Sequence, residues 1–596
     1  MKLFSRYLTI FTILLLPVVA AAQVPTVAKN AGDTRGTEQT DATEKKAATA
    51  APAPSNRQLT TRVGVFAAEP ISLSLDDAIR KALANNNDIE VSRDDVRIQE
   101  TSVRSIQGAY DPVFSVTPTY NRNSTTGNPA TSDFIVNSDL RGAIRPGGGS
   151  YSLFFNNTRT ENAFEQAQAS NGQVVAGTSA IFLSSSGIRY TQPLLRNFSI
   201  DGTRRNLKIA RRRLEQSDAD FRRTTIETIA RVQNAYWDLV FALRDQQNRQ
   251  ANLDLSRENL RQVEARIAAG AAAPLAKAEV ETELANRESD VLVATQQVST
   301  AENALKQLLL RDATSAEWTQ PYVPTDRPAF STDPISLDNA LKDAMDNRYE
   351  LQRLKLALDI NKIDVDFFRN QTKPQIDLNT TFSLEGLSQG GASTDPVLFS
   401  QFSGNDEILR TRVNQLLGIE QLPLIPNPTI VAPGTPEYLV GGFGRSMRNL
   451  FRSDAPNYSV GVTISFPFRN RTAKANLAGA EITRNQIETQ TRVQEQTVVV
   501  EVRNAVQAVE TARQRVLAAR RARENAEIQL DGERKLFDSG RSTTFLLFQR
   551  ENTLTNARNS EIRAETDYNK AIANLQRATS TTFELNNITV NSPIQN

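Results

Sequence analysis

Apolar and polar positions alternate strictly in two stretches of the chain. Over 376–384, Ile376, Leu378, Thr380, Phe382 and Leu384 share one face, and Asp377, Asn379, Thr381 and Ser383 the other. Over 458–466, Tyr458, Val460, Val462, Ile464 and Phe466 oppose Ser459, Gly461, Thr463 and Ser465. This is the period of a β-strand with unlike faces. Weaker versions occur at Phe114, Val116 and Tyr120, and at Ile188 and Tyr190 ahead of Gln192-Pro193-Leu194. Such runs suit a lipid-facing barrel with a wet lumen, and equally a half-buried strand of a soluble sandwich. Alternation alone does not separate the two.

A second period dominates 197–269 and 470–539, which are rich in Gln, Arg, Glu and Ala and nearly free of Pro and Gly. Apolar residues recur there at three and four: Ile229, Val232, Tyr236, Leu239 and Leu243, then Val502, Val506, Val509 and Val516, with Arg513 as a polar break. Each stretch predicts a helix of roughly 105 Å at 1.5 Å per residue. No single globular domain accommodates that length, and the narrow seam is that of a coiled coil. Both helices end at a glycine turn, Gly270 to Pro274 and Gly540 to Thr544, and return as helices over 275–310 and 545–579. Gly suits the position past a helix end and Pro274 the first helical turn.

The chain also repeats itself. Ile71-Ser-Leu-Ser-Leu75-Asp-Asp-Ala78-Ile79 is echoed by Ile335-Ser-Leu337-Asp-Asn-Ala340-Leu341; Leu75 and Leu337 are 262 apart, as are Pro112 and Pro374. Each echo opens a predicted helix, 76–108 and 338–370, with Asp76 or Asp338 at its favourable N-terminal end. One such helix stacked on a return helix matches a long helix in length, which predicts a tube of uniform height. The organisation expected is a first repeat at 71–334, a second at 335–580 and a tail at 581–596. Two inserts interrupt it. Residues 122–185 contain a hairpin-like piece, Phe134 to Ile144, Pro146 to Gly149 and Tyr151 to Phe155, and 385–457 is rich in Gly, Pro and Ser. If the strands form a lipid-facing barrel, its long outward loops are the expected home of both; a third strand pair in the sheet is the alternative.

Residues 1–22 read as a secretory signal: Lys2 and Arg6, an apolar run from Leu8 to Val19, then Ala20-Ala21-Ala22. The run is shorter than the ~20 residues of a spanning helix. Residues 23–69, with Pro52 and Pro54 in an Ala-Pro tract, read as a disordered lead-in. The whole chain has 69 Lys and Arg against 67 Asp and Glu, a balance that speaks against nucleic acid as a partner. It has no His and no Cys, which removes imidazole bases, thiolate nucleophiles and the usual metal ligands. No cofactor, metal or catalytic residue is expected.

The signal, the doubled Leu-Asp-x-Ala-Ile/Leu opening, Tyr190-Thr-Gln-Pro-Leu-Leu-Arg196 and the two glycine hairpin tips together resemble the TolC-like outer-membrane efflux family over about 71–580. The resemblance implies an α+β membrane protein acting as a homotrimer. Each chain would give four strands to a twelve-stranded barrel in the outer membrane, and its helices to a long α-barrel across the periplasm. It implies a passive exit duct, not an enzyme, for an efflux or type I secretion system, joined to a periplasmic adaptor and an inner-membrane pump. A periplasm-spanning structural or adhesive coiled coil with a β anchor is the rival reading, which the duplication disfavours. A carboxylate-based hydrolase has only scattered Asp and Glu to draw on.

Three groups of residues are singled out on this basis. Gly270, Pro274 and Leu275, with Gly540, Arg541, Ser542 and Thr543, would meet the adaptor at the tips, although turn chemistry explains the glycines by itself. Arg523, Glu524, Glu527, Asp531 and Asp538 would line a periplasmic constriction, or form a solvated helix face. Threefold symmetry would turn one acidic residue there into a cation-selecting ring. Arg204, Arg205, Lys208, Arg211, Arg212 and Arg213 follow a strand end, where they would meet lipid headgroups of the outer membrane or form an ion-paired face.

Overall fold

The structure is a computed structural model that describes residue 65 and residues 69–594, apart from 128–129, 162–179, 271–272, 392–393, 401 and 403. The expected signal and nearly all of the lead-in lie outside the described residues. The described residues all belong to one compact unit.

The short strand β1 (Ile71–Leu73) leads into α1 (Leu75–Asn85) and α2 (Asn87–Gln107). Ser74 caps α1 by accepting a hydrogen bond from the Asp77 amide at 3.1 Å. The single helix expected at 76–108 is therefore two. The break is Asn86, whose extended backbone turns its side chain to cap α2 through the Asp88 and Ile89 amides. The helix expected at 338–370 is likewise α5 (Leu337–Asn347) and α6 (Tyr349–Gln371), broken at Arg348, 262 residues after Asn86. Arg348 is buried and paired with Glu501 and Glu350, so charge pairing holds this second break.

Strands β2 (Val113–Asn123), β3 (Thr131–Ala143), β4 (Ser150–Glu161), β5 (Ala180–Pro193), β7 (Gln375–Gln389) and β10 (Pro456–Ser465) form one antiparallel sheet, in the order β10-β7-β5-β4-β3-β2. Four strands were expected, and the sheet holds six. Among the described residues of the 122–185 insert, the hairpin is wall and not loop: it is the β3–β4 pair, seated between β2 and β5 through continuous registers on both sides. Its turn, Arg145 to Gly149, lies at the helical end of the sheet. Gly147 and Gly148 adopt positive φ there beside Gln192 and Asn197, where a Cβ would fall 2.6–2.9 Å from neighbouring atoms.

The long helices are α3 (Gly202–Ala268) and α9 (Arg471–Asp538), and each reverses into a partner, α4 (Leu275–Leu309) and α10 (Thr544–Thr579). At 67 and 68 residues the long pair spans about 100 Å. The predicted seams are buried: Ile229, Val232, Tyr236 and Leu239 in the first, Val502, Val509 and Val516 in the second. The largest core cluster binds α1, α3 and α4 to a two-stranded parallel sheet of β1 and β6 (Tyr322–Pro324). After the short helix α11 (Thr582–Leu585), the tail returns along the first half. Val590 and Ile594 pack near Ile89 and Phe221, and Ser592 donates to Asp218 at 2.7 Å.

The 385–457 insert is partly strand, since β7 runs to Gln389. Beyond it come β8 (Val397–Ser400), α7 (Asn405–Ile419), β9 (Thr429–Ala432) and α8 (Phe443–Arg452). The pair β8 and β9 forms its own two-stranded sheet, and α8 packs on β5 and β7.

Candidate functional site

The sheet register sorts side chains into two faces. Phe382 stands opposite Ile188 on β5 and Tyr458 on β10, and Ile188 opposite Leu153 on β4. Leu153 faces Leu140 on β3, which faces Phe114 on β2. One face thus carries an apolar band from edge to edge. Phe114, Tyr120, Phe134, Leu153, Ile188, Phe382, Tyr458, Val460, Val462 and Ile464 are all 42–82% exposed. Exposed apolar area of this extent marks a surface that meets something other than water. The reverse face is mostly polar. Thr117, Asn137, Asn156, Ser185, Thr381 and Ser459 run across it, and Asn379 bridges Thr191 at 3.0 Å and Thr463 at 2.9 Å. A sheet apolar on one side and polar on the other, in strands of 10–15 residues, has the pattern of an outer-membrane barrel wall. Among the described residues no helix is long and apolar enough to cross a membrane.

The chain matches the sequence profile described as outer membrane efflux protein over residues 78–309 and 436–581, more than half its length. It belongs to that family. The fold agrees. The CmeC outer membrane channel of Campylobacter jejuni superposes with a TM-score of 0.54 at 14% identity, over 87% of this chain and 90% of that one. The MtrE outer membrane channel of Neisseria gonorrhoeae, solved in its open state, gives 0.53 at 16% identity over 87% and 94%. VceC of Vibrio cholerae gives 0.51 at 13% over 85% and 95%. By sequence alone the chain matches no curated protein. Members of this family are passive channels that span the outer membrane and extend into the periplasm, and are not enzymes. The chain is homologous to the outer-membrane channels of multi-component efflux systems.

The residues singled out in the sequence occupy three places. At the tips, Gly270 and Gly540 take φ of +72° and +71°, the left-handed position that ends a helix. Pro274 precedes the first turn of α4, Leu275 is 70% exposed, and Thr543 caps α10 through the Leu546 amide. Arg541 is exposed, and Ser542 donates to Glu533 within the same hairpin.

The five constriction residues do not act as one group. Arg523 sits against the partner helix, 2.6 Å from Glu561 and 2.9 Å from Glu527. Glu527 also meets Arg558 at 3.2 Å, and the hydrogen bond from Arg558 holds its carboxyl below the usual range. Glu524 and Asp531, two turns apart, face away from the seam. Glu524 is 3.7 Å from Arg523, and Asp531 pairs with Lys535 at 2.5 Å while both stay exposed. Asp538 is exposed at the helix end.

The basic cluster divides in the same way. Arg204 pairs with Asp201 at 2.6 Å, and Arg205 pairs with Asp364 at 2.6 Å while stacking on Phe367 and Phe368. Arg212 pairs with Glu215 at 2.6 Å. Lys208, Arg211 and Arg213 remain exposed, and Lys208 lines a cavity of about 270 Å³ with Arg369 of α6 and Lys373 just beyond its end. No simple motif in the sequence separates the paired half of this cluster from the exposed half, because the partners Asp364 and Phe367 lie some 160 residues away.

Proposed function

We propose that three copies of this chain form the exit duct of a multi-component efflux or type I secretion system, with the hairpin tips meeting a periplasmic adaptor and an inner-membrane pump supplying the energy. The observation that carries the reading is the two-faced sheet leading directly into helices about 100 Å long. The apolar band meets lipid, and the polar face lines a wet lumen.

The edge strands support closure. Six alternating strands leave β2 and β10 running in opposite directions, at 11 and 10 residues, so β10 of one copy matches an antiparallel partner in β2 of the next. Three copies then give eighteen strands instead of twelve. Barrel diameter grows roughly linearly with strand number, so this barrel would be about 1.5 times as wide as a twelve-stranded one. The helix breaks at Asn86 and Arg348, 262 residues apart, support a duplicated plan over 71–334 and 335–580.

The chain has no Cys, so introduced thiols report cleanly on the edges. Ser459→Cys combined in turn with Ser115→Cys, Thr117→Cys or Thr119→Cys should give a covalently closed trimer for the combination in register. Failure of every combination to link chains would contradict edge-to-edge closure.

A further inference from the structure

Helix α8 lies in a loop insert, yet it is fastened to the wall. Ser184 of β5 and Gly386 and Ser388 of β7 stand on the same face as the apolar band, at the end of the sheet away from the long helices. These small residues form a seat. The Ser446 hydroxyl is 2.9 Å from that of Ser184 and donates to the Gly386 carbonyl at 2.7 Å. Ser388 donates to the Gly442 carbonyl at 3.0 Å, and Asn449 donates to the carbonyls of Leu387 and Tyr438 at 2.8 and 2.7 Å. Any Cβ at Gly386 would fall 2.2 Å from the Ser446 carbonyl oxygen, and Leu450 is 1% exposed against the same seat.

With Ser446 and Leu450 turned to the sheet, the helical period divides the remaining surface. Phe443, Met447 and Phe451 lie along one flank, where Phe443 is 49% and Phe451 74% exposed. Arg445, Arg448 and Arg452 lie along the other. Arg445 donates to the Val440 carbonyl at 3.3 Å, Arg448 is exposed, and Arg452 stacks on Tyr438 and lies 2.9 Å from Asp454. Leu384 of the apolar band is only two residues from Gly386. The helix therefore rides on the upper rim of the lipid-facing surface, where amphipathic helices with aromatic and basic flanks bind the headgroup boundary.

We propose that α8 is an interfacial collar that grips phosphate-bearing lipid of the outer leaflet. Phe443 and Phe451 enter the acyl boundary, and Arg445, Arg448 and Arg452 take the phosphates. The occupant is lipid because the helix continues a surface that already meets lipid and because its basic flank complements an anionic headgroup layer. The inference rests on the duct reading, in which the apolar band faces the membrane.

The test uses the full chain in nanodiscs of phosphatidylcholine with 20 mol% lipid A. Phe451→Trp and Phe382→Trp, the latter within the band, are each compared with the unsubstituted protein for fluorescence quenching by chain-brominated lipid. Quenching at both positions is expected, together with at least fivefold lower retention of lipid A by the Arg445→Gln/Arg448→Gln/Arg452→Gln protein. Quenching at 382 but not at 451 would overturn the collar and leave the duct standing. Absence of quenching at 382 would overturn the membrane face itself. Unchanged lipid A retention in the triple variant would overturn the phosphate contact, and equal loss of neutral lipid would reduce it to apolar insertion, which also contradicts the proposal.

Discussion

Lys306 and Glu302, one turn apart on α4, are both fully buried, with Nζ 3.1 Å from the carboxylate. Lys306 also donates to the carbonyls of Trp318 and Gln320 at 2.9 and 2.7 Å, and Glu302 accepts from the Tyr322 amide at 2.8 Å. Tyr322 in turn donates to Glu317, and burial, ahead of that contact, pushes its hydroxyl pKa well up. Lys306→Met would leave Glu302 without its cation and two carbonyls without a donor, at a cost of about 3–5 kcal/mol. Thermal unfolding should show a large fall in Tm, partly recovered by adding Glu302→Gln. Glu551 on α10 is the pH-sensitive counterpart. Burial raises its carboxyl above 4.5, against the lowering effect of Arg534 on α9, Asn259 on α3 and Arg287 on α4. A raised folded pKa means stability that is fully present below the unfolded value and lost as pH rises through the folded one. Lowering the pH from neutrality toward 4.5 should therefore increase hydrogen-exchange protection near the second tip, and Glu551→Gln should abolish that response. Protection that does not change with pH in the unsubstituted protein would rule it out.

At the scale of elements, both tips turn on a glycine in the left-handed conformation. A Cβ at Gly540 meets open space, yet its φ of +71° is strained for any other residue. Gly540→Ala should cost about 1 kcal/mol and show as faster exchange confined to the second hairpin. On α9, Glu527 is neutralised by Arg523 and Arg558, whereas Glu524 and Asp531 face outward from the seam. Glu524→Gln or Asp531→Asn should shift the cation selectivity of the reconstituted pore, and Glu527→Gln should change it much less; equal effects would place the constriction elsewhere. The long helices were legible in the sequence because their period recurs over some seventy residues, and β7 and β10 because their alternation is strict, whereas β2 and β5 carried it only in part. The β3–β4 pair was legible as a hairpin but not as wall, because adjacent Ile135 and Val136 blur its alternation. Asn85-Asn86-Asn87 was an available signal for the first helix break, while nothing local marks Arg348, whose partner Glu501 is distant in the chain. β1 and β6 have three residues each, too few to carry a period. Helix α8 is hidden in a Gly- and Pro-rich segment and is recognisable only by its seat on Gly386.

On the scale of the molecule, an apolar band, a polar face and two helical hairpins become one object only if copies close around a common axis. The absence of His and Cys costs such a conduit nothing. Its selectivity would come from charges repeated by symmetry, and its gauge from strand number. The most direct test is single-channel recording of the purified full-length protein in planar bilayers. Discrete conductance steps from trimers are the result expected. Protein that inserts silently, or that remains a monomer without conductance, would contradict the duct.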